Sequence, residues 1–191
     1  MSLFDQDADI KIYNYKTKKV HMEKSSILLH AETQKIAALG NECSQYVEGD
    51  TRFKLVHPIV MGRVEDYSLA QAFFKWIVNA NVNYIDGKRR LFKRSNRVLI
   101  FLHEPCSEVD KKIYCDLLYE LGYKNIFIIS ADTELGNTTP EEVIWNAEET
   151  YGKLDFAIEI TKEDKYQYAR YLYKELQNSC KRWNIHLEDK R

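Results

Sequence analysis

Glycine and proline are scarce in this chain, at 7 and 3 of 191 residues. So few turn formers argue against a loop-rich fold or a phosphate site lined by glycines. The four cysteines, Cys43, Cys106, Cys115 and Cys180, form no C-x-x-C pair. A structural zinc site of ordinary spacing is not visible, and no metal or other cofactor is expected. The thiols read as reduced and mostly buried, as in a cytoplasmic protein. No stretch reaches the ~18 apolar residues that a membrane helix requires, so no transmembrane segment is expected. The opening Met1-Ser2-Leu3-Phe4-Asp5 has no basic flank and no long apolar run, which speaks against a secretory leader. An excess of one charge is missing too: 28 Lys+Arg stand against 29 Asp+Glu, a net charge of -1. Dedicated nucleic-acid binders usually carry a basic excess, so nucleic acid is not an expected partner.

What is present is ordinary globular material, 45% hydrophobic and 30% charged. That composition suits one compact domain, or one domain with a small appendage. A chain of this length buries roughly 70% of its unfolded surface without disulfide support. Residues Ile10 to Tyr15 alternate apolar and polar, the period of a half-buried strand. Lys16-Thr17-Lys18-Lys19 is a polar turn, and Val20-His21-Met22-Glu23 reads as the returning strand. Ser26 to His30 and Lys35 to Leu39, the latter stopped by Gly40, complete an expected antiparallel meander. Asn41 to Val47 reads as a short helix, and His57-Pro58-Ile59 is extended because a residue before proline avoids the helical region. Asp66 can cap a helix whose buried stripe is Leu69, Ala72, Phe73, Trp76 and Ile77.

The segment Lys88 to Arg97 holds six basic residues and no acid. Val98 to Leu102 follows as an unbroken apolar run, fitting a strand buried on both faces. Pro105 to Leu121 reads as a helix with acids in its first turn and Gly122 as its stop. Ile126 to Ile129 is a second buried strand, so strand, helix and strand form a βαβ unit with parallel strands. Residues 131–151 carry six acids and no Lys or Arg. Within them, Thr139-Pro140-Glu141-Glu142 is a helix-start signature. Leu154 to Ile160 alternates like a strand. From Glu163 to Trp183, Ala169, Leu172, Tyr173, Leu176, Cys180 and Trp183 fall on one helical stripe, predicted to pack on the sheet or on neighbouring helices.

A meander, a helix and a βαβ unit in this order form the plan of the first half of the actin-like ATPase fold. Ala38-Leu39-Gly40-Asn41-Glu42 resembles the A-V-G-x-E strand end of MreB-type bacterial actins. His57-Pro58-Ile59-Val60-Met61-Gly62-Arg63-Val64-Glu65-Asp66-Tyr67 resembles the R-P-(I/L)-x-x-G-x-I-x-D-(F/W) segment shared across actins. The basic run into Arg97-Val98-Leu99-Ile100, then Ser107 to Lys112, then Leu121 to Ile129, are each similar to family segments in family order. Together these matches cover roughly residues 10–129. The resemblance implies an α/β fold: a mixed sheet with an N-terminal antiparallel meander plus a βαβ unit, an actin/RNase H-like half-domain. It places that half-domain at 1–130 and an α-rich C-terminal extension at 131–191, packing on it as a cover for the sheet.

The departures from the family pattern are as informative. Counting back from Ile10, the family phosphate loop D-x-G-T-x-N should fall on Asp5-Gln6-Asp7-Ala8-Asp9, where the glycine and threonine are absent. Glycine lets backbone N–H groups approach phosphate, and carboxylates there would repel it. Ser130 stands where the family carries a catalytic glutamate, and it has no charge with which to activate water. No D-x-G-G-G-T loop follows. The expectation is therefore a non-enzyme that does not bind nucleotide. It would be an actin-like structural or regulatory protein of a bacterial cytoplasm, acting through a protein partner or self-association near the cell-shape machinery. Two alternatives stay open: one half of a split actin-like ATPase, and a small cysteine-dependent enzyme using Cys106 and His103. The candidate interaction surface is Lys88, Arg89, Arg90, Lys93 and Arg94, with the acidic stretch 131–151 as a possible counterpart. His57 reads as structural, while His21 and His30 sit on strands where they could face each other.

Overall fold

The computed structural model describes residues 8–45, 50–60, 62–85, 88–89, 96–103, 106–130 and 138–162. In chain order the elements are β1 (Ala8–Asn14), β2 (Lys19–Lys24), β3 (Ile27–His30), β4 (Ile36–Leu39), a 3₁₀ turn (Gly40–Gln45) and β5 (Phe53–Val56). Then come β6 (Ile59–Val60), β7 (Arg63–Val64), α1 (Tyr67–Val78) with a π turn (Asn79–Asn83), β8 (Tyr84–Ile85) and β9 (Lys88–Arg89). The last are β10 (Arg97–Leu102), α2 (Glu108–Glu120), β11 (Asn125–Ser130), α3 (Pro140–Tyr151) and β12 (Phe156–Lys162).

The helices begin where the sequence marks them. Asp66 accepts from the Leu69 N–H to cap α1. Ser107 with Asp110, and Thr139 with Glu142, form reciprocal capping boxes at α2 and α3, each satisfying two otherwise orphaned N–H groups. The main sheet has five strands in the order β11-β10-β12-β1-β2. β10 is parallel to both β11 and β12, whereas β1 is antiparallel to β12 and to β2. Because strand side chains alternate, the sheet has two different faces. Ile10, Ile12, Val98, Ile100, Leu102, Phe156, Ile158 and Ile160 pack with α1 and α2. Tyr13, Tyr15, Leu99, Phe101 and Ala157 pack with α3.

The structure confirms the βαβ unit and corrects other expectations. The meander does not stay in one sheet. β1 and β2 belong to the main sheet, while β3 and β4 join β5 in a separate three-stranded sheet. The chain leaves at Ser25, whose buried hydroxyl exchanges hydrogen bonds with the backbone of Ile59. His21 and His30 therefore lie in different sheets and do not face each other. Gly40 (φ +62°) sits where the second sheet meets the first. A Cβ there would strike the Glu23 carboxylate and lie 2.8 Å from the Trp76 ring. Of the helix expected at Asn41 to Val47, the part up to Gln45 is a 3₁₀ turn and the rest lies outside the described residues, while β11, expected to be buried, is a half-buried edge strand. The stripe at 163–183 lies outside the described residues.

The largest difference concerns β12. Its segment was expected to belong to a cover over the sheet, yet it is the central strand, hydrogen-bonded to β1 on one side and β10 on the other. The reason is compositional. Phe156, Ala157 and Ile158 are apolar on both faces and completely buried, and such a strand is stable only between two covering layers. Truncating Ile158 to alanine should cost about 2–5 kcal/mol of unfolding free energy in denaturant titration. Val109→Ala, on an exposed helix position, should change it by less than about 0.5 kcal/mol. Equal effects would mean that β12 is not in the core.

Candidate functional site at the carboxyl edge of the sheet

The chain runs β10, α2, β11 along one face and returns through α3 on the other, so β12 lands on the far side of β10. In open α/β sheets, connections that diverge in this way make the carboxyl ends of the strands the usual place for ligands. Three strands bring polar side chains to that edge on the α3 face. Glu159 of β12 is only 2% exposed. Its Oε1 accepts from His103 Nε2 at 2.8 Å and from Lys11 Nζ at 3.2 Å. Its Oε2 accepts from the Tyr13 hydroxyl. At the same edge Lys24 pairs with Asp9 at 3.1 Å, and the Thr161 hydroxyl donates to the Asp9 carbonyl.

A buried carboxylate is costly unless paired and hydrogen-bonded. Burial alone would raise the Glu159 carboxyl. The His103 hydrogen bond, the Lys11 charge and the Tyr13 hydrogen bond outweigh it and hold the group below the usual glutamate range. Tyr13 moves the opposite way, pushed up by burial and by the adjacent Glu159 charge, so its hydroxyl stays a donor. The ring of Tyr13 is held edge-on by Trp145 of α3, with centroids 5.3 Å apart.

A sequence model of the MreB/Mbl protein family matches residues 7–135. The chain belongs to the MreB/Mbl family. Its structure is similar to crystal structures of MreB 5 of Spiroplasma citri bound to AMPPNP (TM-score 0.50, 20% identity) and of MreB5 of the same organism bound to ADP (TM-score 0.51, 19% identity). The first similarity covers 60% of this chain and 33% of that one, and the second 68% and 36%. The chain thus spans about a third of the length of these neighbours, and the likeness shows the mixed α/β fold. No curated protein matches it significantly.

Membership in the MreB family corrects one expectation. The missing glycine loop and the uncharged Ser130 read as a non-enzyme without nucleotide. The family, however, is one of actin-like ATPases, and both solved neighbours hold an adenine nucleotide. Missing motifs in one stretch of sequence do not outweigh membership in such a family. Of the segment assigned to the phosphate loop, Ala8 and Asp9 open β1 rather than forming a loop, and Asp5, Gln6 and Asp7 lie outside the described residues. Ser130 is buried at the end of β11 and shares the α2 face with Ile126 and Ile128, not the Glu159 face.

The other candidate residues separate. Cys106 packs against the core of the α1/α2 face. His103 turns to the opposite face, against Phe101 and Glu159, so the structure does not assemble a Cys106–His103 pair. Lys88 and Arg89 form β9, paired with β8, while Arg90, Lys93 and Arg94 lie outside the described residues. His57 reaches Ser26 within its own neighbourhood, as a structural residue would. Sequence reasoning missed Glu159 and Lys11. The available signal was one acid in the otherwise apolar Phe156-Ala157-Ile158-Glu159-Ile160.

The sign of the Glu159 shift fixes a pH dependence. A carboxyl depressed in the folded state contributes stability above its unfolded value of about 4.3 and loses it as pH falls through the folded value. Glu159→Gln should therefore be less stable than wild type at pH 7 by about 1.5–3 kcal/mol. In denaturant titrations at stepped pH the gap should close below about pH 4. A gap independent of pH would show that the ionised carboxylate is not the source.

Proposed function

We propose that this chain is one half of an MreB-type actin-like ATPase of the bacterial cytoplasm, working in the cell-shape cytoskeleton through self-association. In this reading residues 1–130 supply the MreB-type half-domain, and the 131–191 segment completes its sheet with β12. Adenine nucleotide rests against the carboxyl edge of β10 and β12, with the remainder of the actin-like fold closing over it from further polypeptide. The observation that carries the reading is the family match over residues 7–135, together with the polar edge that the same fold builds at His103, Lys11 and Glu159. The split-ATPase alternative is compatible with the family match and belongs to this reading. The basic stretch Lys88 to Arg97 is the proposed surface for a protein partner, on the strength of its charge.

Calorimetric titration of the full chain with Mg-ATP tests the proposal. Saturable binding is expected with a dissociation constant near 10–100 µM, roughly −7 to −5.5 kcal/mol, which is modest for a site completed by only one half. The bound chain should also sediment as assemblies that dissolve when nucleotide is removed. Heats that do not saturate in the millimolar range, roughly −4 kcal/mol or weaker, would overturn it.

A further inference from the structure

The arrangement at Glu159 is more specific than neutralising a buried charge requires. Lys11 alone supplies a counter-charge at 3.2 Å, and Tyr13 closes the second oxygen. His103 is a third partner of a different kind. It sits one residue beyond β10, with its backbone N–H donating to the Ile160 carbonyl at 3.2 Å, which locks the loop entry onto β12. Its ring is braced edge-on by Phe101, with centroids 5.1 Å apart. The side chain is 29% exposed, against 3% for Glu159. An ionised carboxylate only accepts, so Nε2 carries the proton in that bond, and in the neutral ring Nδ1 keeps its lone pair. Among the described residues Nδ1 has no hydrogen-bond partner. A partly exposed histidine with one nitrogen aimed by a buried carboxylate and the other unengaged among the described residues has the geometry of a general base.

We infer that His103, aimed by Glu159, is the general base that activates water against the terminal phosphoryl group of a nucleoside triphosphate. The inference rests on the nucleotide reading above and assigns it a reacting group. The water oxygen bonds to the terminal phosphorus as the bridging P–O bond breaks, and that electron pair leaves with the nucleoside diphosphate. The water proton passes to His103 Nδ1, while the Nε2 proton stays in its bond to Glu159. The imidazolium faces Glu159 from β12, Lys11 and Tyr13 from β1, and Phe101 from its own strand; of these Glu159 carries the stabilising charge. Loss of the Nδ1 proton to solvent restores the base. Lys11 adds a cation beside the incoming phosphates. Glu159, with both oxygens engaged, is a positioning residue.

The test uses the full chain with Mg-ATP, measuring binding by calorimetry and phosphate release under single-turnover conditions. His103→Gly should still bind Mg-ATP saturably and, once saturated, release phosphate about 10²–10⁴-fold more slowly. Added imidazole should recover part of the rate. His103→Asn, which keeps more of the side-chain volume, should show the same defect without that recovery. Glu159→Gln should slow release in the wild-type background and change nothing further in the His103→Gly background, because an orienting residue has no effect once its base is gone. A purely structural Glu159 would lower the rate in both backgrounds. Undiminished release from His103→Gly and His103→Asn, or Mg-ATP binding with no release from wild type, would overturn the base assignment and leave the nucleotide reading standing. Absence of Mg-ATP binding would overturn the nucleotide reading itself, and the base assignment with it.

Discussion

The carboxylate of Glu159 is where three strands of the sheet become one unit. It sits in the middle of β12, surrounded by apolar neighbours, and receives hydrogen bonds from β1 and from the residue after β10. Burying it without those donors would cost several kcal/mol. The donors exist only when β12 lies between β1 and β10 in the observed register, Ile158 opposite Ile12 and Ile100. A slip of one residue would turn Glu159 into the apolar α1/α2 face and Ile158 or Ile160 towards the polar edge. Packing alone would prefer the right face; the carboxylate makes the wrong one prohibitive. The group that defines the candidate site is thus also the group that sets the sheet.

The two faces divide the work. The α1/α2 face is apolar along β1, β10 and β12, and Phe73, Phe74, Ile77, Tyr114, Leu117 and Leu118 pack on it. The α3 face is apolar only at the end nearer Tyr15, Leu99 and Ala157 and polar where Lys11, His103 and Glu159 gather. α3 does not merely cover its end. Trp145 stands edge-on to both Tyr13 and Tyr15, and the Tyr15 hydroxyl donates to the Ile144 carbonyl. The position of the helix is therefore transmitted through the Tyr13 ring to the carboxylate. On the other flank, Gly40 lets Glu23 and Trp76 close together, where Glu23 accepts from the Asn41 N–H at 2.6 Å.

Local signals in the sequence were legible because their physics is local. Asp66, Ser107 and Thr139 announce helix starts through the N–H groups that their own side chains satisfy, and the apolar run Val98 to Leu102 announces a strand covered on both sides. The parallel βαβ unit followed from those. What stayed hidden depends on who sits beside whom. Nothing in Ser25-Ser26 says that the chain leaves for a second sheet, because the partner of Ser25 is the backbone of Ile59. Leu154 to Ile160 was readable as a strand but not as the central one, since its neighbours lie at residues 8–14 and 98–102. The candidate site was missed for the same reason: each of its residues has a dull local context, and only pairings across 56 to 148 positions bring them together. The ordered family resemblance was legible where the activity was not, since fold can be recognised from scattered apolar positions and chemistry cannot.

The central place of β12 also governs the order in which the molecule can be made. β1 pairs with its sequence neighbour β2 on one edge, but its other edge waits for residues 156–162. β10 likewise pairs with β11 and then waits on its inner side. Until β12 arrives, two half-sheets coexist with bare inner edges, each an invitation to pair with another nascent chain. Closure across so long a loop is entropically slow and belongs late in folding. Truncation anywhere before residue 156 would leave both inner edges bare and open to pairing with other chains.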